Sequence, residues 1–351
     1  MSALPLNSAS STLTVGGVEL TRRDIGSADR DAVLGLHTLV FGPEVDAAWY
    51  AWKYGQAAAQ GQGQAAGLWH GGELIAYCGG LPRTLWQHGQ SLRGLQIGDV
   101  MVHPAWRGIL TRRGPFHHVS QGFYDSRLGA APQRPFQLGY GFPSARHLRL
   151  AVLQGLLSDA GVVETLHWDL GTEAALPWHW RWQDLAPSAQ GFDRCVNRAW
   201  RAMQKGSGRF MLGQRDAAYL RWRYVDRPAA LGSAGTVPRY RFFALRRPWP
   251  GGLGGVAVMD LRSTSAHWLD WVGPTDLLPL ASRACRLQAL SSGAVELTTW
   301  ASAAVARQLE GTGITRREVC AGLGMPVRSD LDPKEATRVP WWLMGGDTDF
   351  L

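Results

Sequence analysis

The sequence predicts an α/β chain (α+β, with a mixed sheet): two tandem modules, each a central, mostly antiparallel sheet with helices on both faces. Three observations carry this. The 351 residues are too many for one comfortable core and fit two domains of ~150 residues each. The phrase DAAWYAWKY, residues 46–54, returns about half a chain later as DAAYLRWRY, residues 216–224. A phrase shared at that separation marks duplication of a whole domain. The elements on either side of the two copies also follow the same order.

The matches within the phrase are close: Asp46 with Asp216, Trp49 with Tyr219, Trp52 with Trp222, Lys53 with Arg223, Tyr54 with Tyr224. Before it, VELTRRDI reads as a strand. GSADRDAVLGLHTLVFG then has apolar residues at helical spacing, with Ser27 as the expected N-cap. In the second half Asp184-Leu185 answers Asp24-Ile25, followed by a small-residue turn and a helix. After the phrase both halves turn to strands. AGLWHGGELIAYCGGLP is a hairpin around Gly71-Gly72, and YRFFALRRPWPGGLGGVAVMDL is a hairpin around a longer Pro/Gly turn. A third strand follows in each, GLQIGDVMVHP and SAHWLDWVGP, with Asp99 and Asp270 at matching places.

A helix comes next in both. Pro115 suits the first position of the first one, and Phe116, Val119, Phe123 and Tyr124 are its expected inward residues. Each module closes with a short strand and a last helix: PFQLGYGF with PSARHLRLAVLQGLL, and AVELTTW with ASAAVARQLEGTGI. The expected division is a flexible tail at 1–15, a first module at 16–172, a linker at 173–190, a second module at 191–328 and a C-terminal tail at 329–351.

Hydrophobic content of 45% with 17 Trp argues for folded material. No run approaches the ~18 apolar residues of a membrane span. The N-terminus lacks the basic region and apolar core of a secretory signal, so a cytoplasmic location is expected. Cys78, Cys195, Cys285 and Cys320 are scattered, with no paired spacing and no His-rich neighbour. They read as reduced thiols, and neither a disulfide frame nor a metal site is expected. The net charge is +8, nearly all of it arginine. Such a balance suits an anionic cofactor, an acidic substrate or nucleic acid; a GC-rich genome would also write it.

Two stretches carry a family resemblance. DVMVHPAWRGILTRRGPF, residues 99–116, is a strand ending V-x-P, an Arg/Gly loop and a helix start. GFPSARHLRLAVLQGL, residues 141–156, keeps the spacing N-x-x-A-x-x-L-Y-x-x-x-G-F, with Ser144 at the Asn place, His147 at Ala, Leu150 at Leu, Gly155 at Gly and Leu156 at Phe. In both, and in the order of its elements, the chain resembles the GCN5-related N-acetyltransferase (GNAT) family. Ser302, Val305, Gln308, Gly313 and Ile314 keep the second spacing in the second module. The loop departs from the family's (Q/R)-x-x-G-x-(G/A), with extra residues between Arg107-Gly108 and Arg113-Gly114.

The resemblance implies acetyl-CoA, or another acyl-CoA, as cofactor. A helix N-terminus presents unpaired N–H groups and partial positive charge to a pyrophosphate, and glycines let backbone approach it. The expected cofactor residues are Met101 and Val102 on the strand, Arg107, Gly108, Arg112, Arg113 and Gly114 in the loop, and Ser144. An ordinary basic loop capping a helix is the plainer alternative. The second module has no such loop. It is expected to leave the cofactor to the first and to shape the acceptor pocket.

Transfer to an amine needs a base, and an acid or water for the departing thiolate. Asp99 is the family-like base. A structural role is its equal alternative, favoured by the persistence of Asp270. His103 is second, by its ordinary pKa, against a plain loop hydrogen bond. At the place of the family's tyrosine acid stand Ala151 and Leu309, which leaves Tyr140, Ser144 or water. Trp49, Trp52 and Tyr54 read as pocket wall or core, with core favoured because both modules carry the phrase. Cys78 reads as a buried small hydrophobe.

The expected activity is acyl-CoA-dependent N-acyl transfer, by direct transfer in the first module. The acceptor is left open among small amines, amino sugars, amino acids and protein amines. The alternatives are an aminoacyl-tRNA-dependent transferase and a non-catalytic acyl-CoA-binding protein. The Arg/Gly loop favours coenzyme A, so no nucleic-acid partner is expected.

Overall fold

A computed structural model of the protein describes residues 10–42, 45–59, 65–108, 113–228, 239–247, 252–328, 330 and 338–348. The first half opens with the hairpin β1 (Ser11–Val15) and β2 (Val18–Asp24). α1 (Arg30–Phe41) follows a 3-10 turn over Ser27–Asp29. Ser27 is not its cap. Asp29, gripped by Arg23 at 2.7 Å, accepts from the Gly26 amide at 2.8 Å and fixes the entry. α2 (Ala47–Ala59) carries the repeated phrase. Asp46 accepts from the Trp49 amide at 2.8 Å, and in the second copy Asp216 accepts from the Tyr219 amide at 2.9 Å. The aspartate opening both phrases is therefore a helix cap.

β3 (Ala65–His70) turns into β4 (Glu73–Gln87) through Gly71 and Gly72, both at positive φ, as a two-residue hairpin requires. Then come β5 (Gln90–Val102), α3 (Pro115–Arg127), β6 (Leu138–Gly141), α4 (Ala145–Leu153) and β7 (Leu157–Asp169). The second half runs β8 (Arg181–Asp184), α5 (Phe192–Gly206), β9 (Met211–Gly213) and α6 (Ala217–Leu220), which continues as a π-helical turn over Arg221–Val225. It ends with β10 (Tyr240–Arg247), β11 (Gly252–Leu261), β12 (Ser265–Val272), α7 (Leu278–Ser291), β13 (Glu296–Ser302), α8 (Ala303–Gln308), β14 (Arg316–Pro326) and β15 (Trp341–Trp342).

The strands form one sheet in the order β1-β2-β3-β4-β5-β6-β14-β7-β13-β12-β11-β10-β8. Along it only β5–β6 and β12–β13 are parallel. The order reads almost the same from either end, as a two-fold relation between the halves requires. Its centre is an exchange. β7, from the first half, pairs with β13 of the second, and β14, from the second, lies between β7 and β6.

Helices cover both faces. In the first half, Val119, Phe123 and Tyr124 of α3 and Leu148 and Ala151 of α4 pack on Leu68, Ile75 and Leu95. Phe116 joins them partly buried. On the other face Val33 and Leu36 of α1 and Tyr54 of α2 meet Tyr77, Leu81 and Met101. Each fully buried Leu, Val or Phe contributes about 1.5–3 kcal/mol. A further cluster, with Leu85, Tyr140, Val163, Met211 and Trp341, spans the junction of the halves.

Several expected boundaries change. Residues 11–15 are a strand, not tail, because β1 covers the edge of β2. The 173–190 linker contributes β8 to the opposite edge. The C-terminal tail is buried over 341–348. β7 and β14 follow the helices that were expected to close the modules, so the halves do not close separately around residue 172. The Pro/Gly turn at 248–251 lies outside the described residues.

Candidate active site

β5 and β6 run parallel from Gly94–Leu138 to Ile97–Gly141 and then part. Gly141 sits at the apex of the split, where a Cβ would stand 3.0 Å from the Ile97 carbonyl. Beyond it β5 keeps β4 on one edge, with Tyr77 opposite Met101 and Ala76 opposite Val102. Its other edge opens onto a notch. Two helices begin after the loops that leave these strands, α3 after β5 and α4 after β6. Gly114 is the N-cap of α3 and supplies no side-chain cap, so the amides of that first turn are open. Ser144 is the N-cap of α4, its Oγ accepting from the His147 amide.

The loop residues lie at the mouth. Arg107, Gly108 and Arg113 are exposed, and a Cβ on Gly108 would meet nothing within 4 Å. Arg107 does not project freely: its Nε donates to the Val102 carbonyl at 2.9 Å, folding the loop back onto the strand end. Arg112 lies outside the described residues, within 109–112. Across the mouth stand Arg146 and His147. Burial, then the charges of Arg146 and Arg107, hold the His147 imidazole below its ordinary pKa. The mouth is thus a cationic rim suited to an anion.

Asp99 stands two residues past the last β5–β6 pair. It interrupts the β4–β5 register and has φ +51. For a non-glycine residue this conformation costs ~1–2 kcal/mol. The hydroxyl of Tyr54 donates to its Oδ2, and Lys53 Nζ is 2.7 Å from the same oxygen. The Lys53 and Asp99 side chains are only 3% and 9% exposed, so the carboxylate is held in place by two buried partners. Lys53 also lies 4.9 Å from the Trp49 ring. Burial first, then the Asp99 charge, push the Tyr54 phenol well above its ordinary pKa.

The structure does not bring His103 to this point. Its Nδ1 accepts from the Ala105 amide at 3.2 Å, and its Nε2 is 3.7 Å from the Glu73 carboxylate at the far end of the β3–β4 hairpin. Tyr140 pairs with Gln96 just below the apex. It is wholly buried against Phe142 and Trp341, and burial raises its phenol pKa. Its hydroxyl has no hydrogen-bond partner among the described residues. Ala151, at the place of the family's tyrosine, is buried in the α3/α4 core. Burial likewise raises the Cys78 thiol, which fits an inert core residue.

The second half has the same split, between β12 and β13 beyond Trp268–Thr299. There the chain fills it with its own C-terminal segment. Met344 bridges to Ala301, and Ser302 donates its amide to the Leu343 carbonyl at 3.0 Å and its Oγ to the Trp341 carbonyl at 2.5 Å. Gly346 rests on Asp270 and Tyr224, where a Cβ would overlap the Tyr224 hydroxyl and stand 2.6 Å from Asp270 Oδ2. Tyr219 and Arg223 donate to the Gly346 carbonyl at 2.8 and 3.2 Å, and Arg223 to that of Thr348 at 2.6 Å. Buried Arg215 bonds Asp270 at 2.8 Å and also Asp347. Asp347 in turn reaches Arg83 of the first half at 3.5 Å. Sequence reasoning allowed the C-terminal segment to dock on the fold but did not place it in this notch; Trp341-Trp342, two large apolar residues, was the signal.

Among the described residues no cluster of His, Cys, Asp and Glu could hold a metal ion, and no helix is long and apolar enough to cross a membrane. The mixed, splayed sheet with helices on both faces is an α/β fold of two similar halves joined through one sheet. Residues 21–148 match the family model described as an acetyltransferase (GNAT) domain. Among curated proteins none matches the sequence. Solved structures share the fold at low identity. A probable N-acyltransferase of unknown function from Enterococcus faecalis is 13% identical, with TM-score 0.63, over 90% of this chain and 73% of that one. A GCN5-related N-acetyltransferase from Kribbella flavida is 14% identical, with TM-score 0.60, over 87% and 70%. A Saccharomyces cerevisiae N-myristoyltransferase is 12% identical, with TM-score 0.51, over 93% and 83%.

Proposed function

We propose that the chain is an acyl-CoA-dependent N-acyltransferase that loads its donor, acetyl-CoA in the first instance, in the notch of the first module. The observation that carries this reading is the edge of β5 beyond Ile97, which no described strand pairs on that side, set beside the N-terminus of α3 with no side-chain cap. The open amides at Phe116 and His117 suit a pyrophosphate. Arg107, Arg113 and Arg146 supply charge at the mouth, and Gly108 and Gly114 leave room for close approach. Met101 and Val102 lie on the stretch of β5 along which an extended arm would run, although the Val102 carbonyl already accepts from Arg107, and Ser144 stands at the opposite wall. When bound, the donor supplies an activated acyl thioester; the protein's part is to orient it and exclude water. Asp99 anchors the apex, and deprotonation of the amine falls to solvent at the open mouth. His103 takes no part. A phenol as buried as Tyr140 stays protonated, so it can donate a hydrogen bond but not act as a base. The free thiols, three buried and that of Cys320 half-buried, fit a cytoplasmic protein.

One observation favours a second reading, binding without transfer: the buried Ala151 at the acid's place. Calorimetric titration with acetyl-CoA tests the first claim. One site is expected, because the second notch is filled, and Gly114→Trp should abolish it. No binding by the parent chain overturns the proposal. One site with no turnover across a panel of amines would favour the second reading.

A further inference from the structure

α5 (Phe192–Gly206) sorts its residues by chemistry around its axis. Phe192, Val196, Trp200 and Met203 are buried and hold it in the core of the second half. Asn197 accepts from the Ala217 amide at 2.9 Å and ties it to α6. Arg194, Arg198, Arg201 and Lys205 are exposed. At 3.6 residues per turn these four fall within an arc of about 60°, in a row ~16 Å long parallel to the axis. Among the described residues none of the four side chains has an ion-pair or hydrogen-bond partner. The one acidic residue of the helix, Asp193, is held by Arg221 at 2.8 Å. Like charges three and four residues apart destabilise a helix. The fold therefore gains nothing from the row, which points to a partner outside the chain.

We propose that this row binds the phosphate backbone of a nucleic acid. Phosphates of one strand repeat every ~3.4 Å of duplex axis, so the row faces about five of them. Three of its four cations are arginine, whose planar fork matches phosphate oxygens. The buried face of α5 holds the row straight before any partner arrives. An anionic membrane is the poorer match. An interfacial helix turns its apolar face to lipid, and here that face is buried in the core, with no large apolar residue of α5 exposed. An acidic peptide lacks charges at a fixed pitch. Cations aligned on one helix face read backbone and not bases, so the binding carries no sequence preference. The expectation of no nucleic-acid partner came from the Arg/Gly loop of the first half, a different surface. The inference is independent of the acyl-CoA reading.

The test is fluorescence anisotropy with a labelled DNA duplex of about 20 base pairs and an RNA duplex of the same sequence, from about 50 to 200 mM salt. The parent chain should bind both. For DNA, log affinity should fall against log salt with a slope of about −3.6, ~0.9 for each of four phosphates neutralised. Changing all four residues, Arg194→Gln, Arg198→Gln, Arg201→Gln and Lys205→Gln, should cost about tenfold or more in affinity at the lowest salt and remove most of the slope. Circular dichroism confirms folding. Removing positive charge anywhere weakens attraction to a polyanion, so two matched pairs are compared. One is Arg198→Gln with Arg201→Gln; the other is Arg149→Gln with Arg317→Gln, exposed arginines of α4 and β14. Greater weakening in the first pair supports the row. Equal weakening in both, a fourfold variant that binds as the parent does, or a parent chain that binds neither duplex overturns the inference. Binding through the row to phosphatidylserine vesicles or to polyglutamate, and not to the duplexes, overturns it in favour of that partner.

Discussion

Trp52 and Trp222 stack with ring centroids 5.2 Å apart and planes inclined at 15°. Each indole N–H donates to the other residue's main-chain carbonyl, Trp52 at 2.6 Å and Trp222 at 3.0 Å. The contact is reciprocal, as a two-fold contact between identical surfaces would be. The repeated phrase therefore does two jobs: it starts an Asp-capped helix in each half, and it joins the halves to each other.

A double-mutant cycle on Trp52→Ala and Trp222→Ala should show coupling of about 1–3 kcal/mol, the range for residues in contact. Aromatic geometry contributes ~0.5–1.5 kcal/mol of that beyond area burial. Denaturant unfolding of the two single variants and the double gives the value. Additive effects would show that the stacking is incidental.

Asp347 ties the plug to both halves through Arg215 and Arg83. Asp347→Ala leaves two buried guanidinium groups short of a partner and should cost about 3–5 kcal/mol. Gly346→Ala forces a methyl into Tyr224 and should cost ~1–3 kcal/mol by overpacking. Both variants should release the C-terminal segment to limited proteolysis before the rest of the chain is cut. Melting together with the parent, with the segment still protected, would contradict this.

Asp99→Ala removes the partner of buried Lys53 and puts alanine at φ +51. A loss of about 3–5 kcal/mol is expected from the unpaired charge alone. Asp99→Asn should lose clearly less, because asparagine accepts the backbone and still takes the Tyr54 bond. If Asp99 were instead the catalytic base, Asn would abolish turnover while barely moving the melting temperature.

Burial is the main cause that lowers the pKa of His117, His118, His147 and His267. Depressed folded values mean that the neutral rings are favoured by folding. Their stability contribution is complete above the unfolded value of about 6.5 and is lost as pH falls through the folded values. The melting temperature should hold steady down to about pH 6.5 and decline below it, before carboxylates titrate near pH ~4. His267→Gln should reduce the decline. A melting temperature that rises on acidification through this range would show the sign to be wrong.

The sequence by itself determined what depends on neighbours along the chain: the duplicated phrase, the Gly71-Gly72 turn, Pro115 at the start of α3, the inward face of that helix, and the Arg/Gly loop before it. Each is local, fixed by turn chemistry, capping or a 3.6-residue period. Only the tertiary structure decided the exchange of β7 and β14, the plug in the second notch, the pinning of Asp99 by Lys53 and the turn of His103 toward Glu73. Those contacts join residues far apart in the chain. A strand's sequence records which of its faces is apolar but not which strand lies beside it, and a charged side chain's sequence neighbours do not record its partner in space.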